Sequence, residues 1–100
     1  MSRFARRVDD NQAAIVATFR RLGCAVFSLA SVGRGCPDLL VAFQGRNELV
    51  EVKDGRKVPS ARKLTPLEER FAREWPVRVW LAECPEDCVA LVATWREAAP

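Results

Sequence analysis

Asp38, Glu51 and Lys53 are the residues whose types and spacing could do chemistry together. Asp38 opens the apolar run Leu39-Leu40-Val41-Ala42-Phe43. Glu51 and Lys53 close the segment Glu48-Leu49-Val50-Glu51-Val52-Lys53, with Gln44-Gly45-Arg46-Asn47 between the two runs. The apolar run fits a strand buried on both faces, and the following segment alternates as a half-buried strand does. A four-residue turn makes the pair a hairpin. Alternation puts Leu49, Glu51 and Lys53 on one face and Val50 and Val52 on the other, and antiparallel pairing returns Asp38 to the neighbourhood of Glu51 and Lys53. Two carboxylates and the Val52 carbonyl form a hard oxygen site for Mg²⁺ or Mn²⁺, with positions left for water and phosphate oxygen. Such an ion activates bound water and polarises a phosphoryl group. Lys53 could orient or help deprotonate the water, or neutralise charge building on the phosphate. Pro37 stiffens the chain before Asp38, and Gly33 and Gly35 let backbone approach a phosphate closely.

Composition narrows the chemistry further. The 100 residues contain no His and no Tyr, which removes His-metal nucleases, Ser-His-Asp hydrolases, Cys₂His₂ fingers and tyrosine-nucleophile enzymes. A chain of this length with 49% hydrophobic residues has room for one modest core. The net charge of +3 is small, so partner choice depends on where charge lies. Its steepest concentration runs from Lys53 to Lys63, where Lys53, Arg56, Lys57, Arg62 and Lys63 face one acid, Asp54. Such a cluster beside a phosphate-cleaving site is expected to grip DNA backbone without reading sequence. Arg34 could hold the scissile or an adjacent phosphate. Nothing approaches the roughly twenty apolar residues of a membrane span, and no apolar signal core follows Met1, so a cytoplasmic protein with reduced cysteines is expected. A four-cysteine zinc site is disfavoured because Cys24, Cys36, Cys84 and Cys88 contain no C-x₂-C pair.

Pro37-Asp38 followed by Glu51-Val52-Lys53 resembles the PD-(D/E)xK nuclease signature. The wider pattern, from Gly35 through Val41, then Glu51 to Gly55 and Lys63-Leu64-Thr65-Pro66, is similar to the VRR-NUC (virus-type replication-repair nuclease) branch, in its small stand-alone phage or bacterial form. The resemblance runs from about Asp9 to Val92 and implies a metal-dependent DNA endonuclease that leaves 5′-phosphate and 3′-hydroxyl ends. It also implies that a first-helix Gln or Glu supports the metal site, which makes Gln12 the candidate. A homodimer is expected, because one small site cuts one strand and paired cuts need two. Exposed Trp80 or the last helix could supply the interface. Four-way junction, flap and plain duplex all stay open as substrates. A non-catalytic nucleic-acid-binding module, or a small regulator of another nuclease, would leave the charged trio without a task.

The elements that must position these residues can be read in order. Residues 1–8 form a basic arm, 9–95 a single nuclease-like domain and 96–100 a tail. Asp9 or Asp10 caps a helix that carries Ile15, Val16, Phe19 and Leu22 and stops at Gly23. Cys24 to Ala30 reads as a strand, followed by the hairpin. Thr65-Pro66-Leu67-Glu68 is a capping box with proline at the first helical position. It opens a helix whose Leu67, Phe71 and Trp75 should cover the sheet as core. Val77 to Ala82 is a strand returning parallel to its partner, and Cys84 starts a last helix with Cys88, Val92 and Trp95 on its buried side. The expected fold class is α/β, a four-stranded mixed sheet flanked by helices, which is the αβββαβ restriction-endonuclease-like core plus a C-terminal helix.

Overall fold

The computed structural model describes residues 10–98; the basic arm and the cap expected at Asp9 lie outside the described residues. The elements are α1 (Asp10–Arg21), β1 (Ala25–Ser28), β2 (Leu39–Phe43), β3 (Arg46–Val52), a 3₁₀ turn (Pro59–Ala61), α2 (Pro66–Glu74), β4 (Val79–Ala82) and α3 (Pro85–Glu97). The sheet has the order β1-β2-β3-β4. β1 to β3 form an antiparallel meander, and β4 joins β3 in parallel after the α2 crossover. This is the mixed α/β sheet expected from the pattern.

One face of the sheet makes the core. Val41 and Leu39 of β2, Val50 of β3 and Ala82 of β4 pack against Ile15 and Phe19 of α1 and against Cys88, Val92 and Trp95 of α3. Phe19 and Trp95 stack at 5.8 Å, and Trp80 meets Trp95 edge-on at 6.1 Å. α1 ends where Gly23 takes φ +94°, a conformation that costs glycine little.

Several local expectations are corrected. The hairpin turn is two residues rather than four: pairing continues to Phe43 opposite Arg46, leaving Gln44 (φ +46°) and Gly45 (φ +84°). Positive φ at both positions is the type I′ turn, whose twist matches the strands. In β4 only Ala82 is buried; Val79 and Trp80 are half-buried and Leu81 is exposed, with Trp80 paired opposite core-facing Val50. The Trp80 indole N–H donates to Glu48 at 2.8 Å, so it is not the exposed interface residue expected above. The apolar stripe of α2 does not enter the core either: no α2 residue is buried, and Leu67 and Trp75 are 54% and 48% exposed. Glu68, Phe71 and Ala72 are half-buried, and the helix backbone closely approaches the 33–36 loop, since a Cβ on Gly35 would lie 2.3 Å from the Leu67 carbonyl oxygen. All four cysteines are free thiols.

Candidate active site

The β2–β3 register sets the first relation. Leu39 lies opposite Val50, so the next step along the chain brings Asp38 across from Glu51 just past the paired residues. Asp38 Oδ2 accepts the Val52 backbone N–H at 2.8 Å, which ties this carboxylate to the strand that carries the other two residues. Lys53 Nζ lies 3.8 Å from Glu51 Oε2 and 2.8 Å from Glu68 Oε1. The three residues singled out by type and spacing meet at one sheet edge.

Glu68 is the member that the sequence reading missed, because its cap role accounted for it fully. It does complete the capping box: its Oε1 accepts the Thr65 N–H at 2.8 Å while Thr65 Oγ1 accepts the Glu68 N–H. The same Oε1 takes the Lys53 ammonium. A polar residue on the sheet-facing side of a helix start, opposite a lysine on the adjacent strand, is the signal that could have found it.

Protonation follows from burial and neighbours. Glu51 is 4% exposed, and its carboxyl is pushed up to about 9, first by burial and then by the charge and hydrogen bonding of Asp38 and Glu68. At neutral pH it carries a proton, which lets it donate to a neighbouring carboxylate. Burial alone would lower the Lys53 pKa, but the hydrogen bond and charge of Glu68, with Glu51 and Asp38 behind it, outweigh burial and raise it. Lys53 is thus a charged ammonium. Burial would likewise raise Glu68, and the Lys53 and Thr65 hydrogen bonds leave it lowered. The Cys36 thiol is pushed up by burial and then by the Glu51 and Asp38 charges, which places it beside the carboxylates as a neutral group.

The donor chemistry suits a hard divalent cation. Among the described residues no group of three or more His, Cys, Asp or Glu side chains is arranged to hold a metal ion, and Glu68 is committed to Lys53 and Thr65. What remains is the Asp38–Glu51 pair and backbone oxygen. A short protein ligand set of that kind suits Mg²⁺, which retains several waters. Burial first, and then the Asp38 and Glu68 carboxylates, hold the proton on Glu51, and a cation would take that proton's place.

The other candidates are distributed unevenly around this edge. Gln12 is half-buried on α1. Its neighbour Asn11, not anticipated from the sequence, is 8% exposed and donates from Nδ2 to the carbonyls of Lys53 (2.6 Å) and Glu83 (3.2 Å), fastening the end of β3 to the end of β4. In the basic segment Arg56 grips Asp54 through Nε and Nη2, both at 2.9 Å, and Arg62 Nη1 lies 3.6 Å from Glu83. Lys57 and Lys63 are exposed, with no ion pair among the described residues.

Arg34 stands apart from these. Gly33, Arg34 and Gly35 all have positive φ (+77°, +57° and +81°), a conformation strained for the arginine alone. Its side chain has no hydrogen-bonding or ionic partner among the described residues, so nothing in the fold offsets the strain. Strain of about 1–2 kcal/mol, less the chain entropy that glycine adds to the unfolded state, means Arg34→Gly should raise stability by roughly 0.5–1 kcal/mol. Thermal melts of the two proteins check this, and a loss of stability in the glycine variant would contradict it.

No protein-family profile matches the chain, and no curated protein matches it. A solved structure described as a VRR_NUC domain does, at 29% identity and a TM-score of 0.59, over 84% of this chain and 91% of that one. The chain has a VRR-NUC-like fold, that of a nuclease family.

Proposed function

We propose that the chain is a divalent-metal-dependent DNA endonuclease that hydrolyses phosphodiesters at the Asp38–Glu51 edge. The observation that carries the reading is the meeting of Asp38, buried Glu51 and Lys53 at one end of the β2–β3 hairpin. Likeness to a VRR_NUC domain supports it. Asp38, Glu51 and the Val52 carbonyl would hold Mg²⁺ or Mn²⁺. When bound, the ion supplies Lewis acidity and a more acidic water.

The chain's own groups have separate tasks. The Val52 N–H fixes the Asp38 carboxylate, so its free oxygen lies at a set position. Lys53, kept charged by Glu68, serves as an electrostatic partner for the negative phosphate rather than as a base for water. Asn11 fixes the Lys53 backbone from behind, and Gln12 supports the same edge from α1. Gly33 and Gly35 bring backbone near the phosphate. Arg34, Lys57 and Lys63 supply the phosphate contacts, with Arg56 and Arg62 contributing less because acids already hold them. Branched DNA is the favoured substrate and a homodimer the working form, since one such site cuts one strand. No helix among the described residues is long and apolar enough to cross a membrane.

The test is incubation with an end-labelled four-way junction, a flap and the matched duplex, in Mg²⁺, Mn²⁺ or EDTA. Cleavage with either ion and none in EDTA is expected, with the branched forms cut faster. Binding without cleavage under every ion would replace the enzyme with a non-catalytic DNA-binding module.

A further inference from the structure

Half-buried Phe71 and exposed Trp75, at the end of α2, lie outside the core cluster. Phe71 and Trp75 stack face to face, with centroids 5.1 Å apart and planes 18° from parallel. Trp75 remains 48% exposed. A tryptophan in this state normally costs solubility without return, and α2 has no buried residue that would require it. Beside the pair runs a groove of about 460 Å³, with Leu29 and Leu49 along its length, Phe71 and Trp75 as its aromatic lining, and Arg34 and Cys36 also along it. Cys36 in this lining stands two residues before Asp38, so this part of the groove lies beside the carboxylate edge. A smaller pocket lined by Phe71, Glu51 and Glu68 abuts it.

We propose that this groove receives one unpaired nucleobase of the substrate strand, stacked on Trp75, with the adjoining phosphate on Arg34. The inference rests on the nuclease reading and deepens it by naming the feature of the substrate that is recognised. A base within a duplex has both faces covered by its neighbours, whereas an unpaired base offers a free π face to an aromatic platform. The groove volume lies within the roughly 300–1,000 Å³ of small-molecule sites. Charge selects this occupant over a second copy of the chain. A protein surface laid on Trp75 would desolvate Arg34, which has no partner among the described residues, while a nucleotide brings a flat apolar face and an anion together. Selection for unpaired nucleotides then follows from α2 and the 33–36 loop, apart from the metal ligands.

The experiment uses Asp38→Asn protein, so that binding is read without cleavage, and two labelled oligonucleotides of one sequence, one with a central unpaired 2-aminopurine and one fully paired. Trp75→Ala added to this background should weaken binding of the unpaired form about tenfold and leave the paired form within about twofold. Trp75→Phe should restore most of the loss, and unchanged melting temperatures would exclude a folding defect. Aminopurine fluorescence should be quenched by the protein with Trp75 and not by the alanine variant. Equal losses on both oligonucleotides, or none on either, would overturn the inference. A Trp75→Ala change that dissociates a dimer while DNA binding stays constant would assign the groove to a second copy instead. If the unmodified protein cuts DNA and Trp75→Ala leaves substrate preference unchanged, this inference alone fails; if it neither binds nor cuts any DNA, the nuclease reading fails first.

Discussion

Lys53→Met should lower the single-turnover rate of DNA cleavage by on the order of 10²–10³-fold, while the KM for DNA changes by less than about threefold. Methionine keeps most of the lysine stem and removes only the ammonium, so packing at the sheet edge is largely retained. The split between rate and KM follows from position. Lys53 is more than four-fifths buried and engaged by Glu68 and Glu51, so it is poorly placed to add affinity along the DNA backbone. Its charge should matter where negative charge builds at the reacting phosphate. Because the raised pKa keeps the ammonium charged, the advantage of the unaltered enzyme over Lys53→Met should shrink as Lys53 deprotonates at high pH, whereas it would grow if the amine acted as a base that needed deprotonating. Glu68→Gln is the companion measurement. It keeps the cap geometry but weakens the hold on Lys53, and a loss of about tenfold is expected. A Lys53→Met enzyme with normal rate and raised KM would make Lys53 a binding residue only.

The second large effect concerns stability and is read without DNA. Glu51 has a folded-state pKa raised from 4.5 to about 9. A group raised in this way contributes stability that is fully present below its unfolded pKa and is lost as pH rises through the folded one. The metal-free protein should therefore lose stability between about pH 5 and pH 9, on the order of a few kcal/mol, because ionising Glu51 places a buried charge beside Asp38 and Glu68. Glu51→Gln removes the titration. Its melting temperature should stay nearly flat over that range and exceed that of the unaltered protein at pH 9. Mg²⁺ should restore the unaltered protein at pH 9 and leave the glutamine variant unmoved. Parallel pH profiles for the two proteins would show that Glu51 does not carry the strain.

The sheet and the charged trio were legible in the sequence because both depend on short-range pattern. An apolar run, a glycine-containing turn and an alternating strand leave few ways to pair, and once β2 and β3 pair, Asp38 must fall opposite Glu51. The capping box at Thr65 and Glu68 was legible for the same reason. What sequence could not supply was the use of one side chain in two places. Glu68 satisfied its local role completely, and its bond to Lys53 depends on how the crossover helix comes back over the strand. Asn11 was not anticipated, since periodicity gives the face of a helix within a residue or so and only the packed helix shows that its amide reaches the Lys53 carbonyl. The stripe on α2 misled in the opposite direction. Leu67, Phe71 and Trp75 have the spacing of a buried face, yet the core is completed by α1 and α3 on the other side of the sheet. Nothing in the spacing tells an apolar stripe that covers a core from one that lines an open groove.

Asp38 and Glu51 should form one site for a divalent cation, and calorimetric titration of Mn²⁺ into the protein at pH 8 tests that most directly. One ion per chain is predicted, with a proton released that shows as a dependence of the measured heat on buffer ionisation enthalpy, and no binding by Asp38→Asn protein of unchanged melting temperature. Equal binding by both proteins, or binding by the unaltered protein with no proton released, would contradict it.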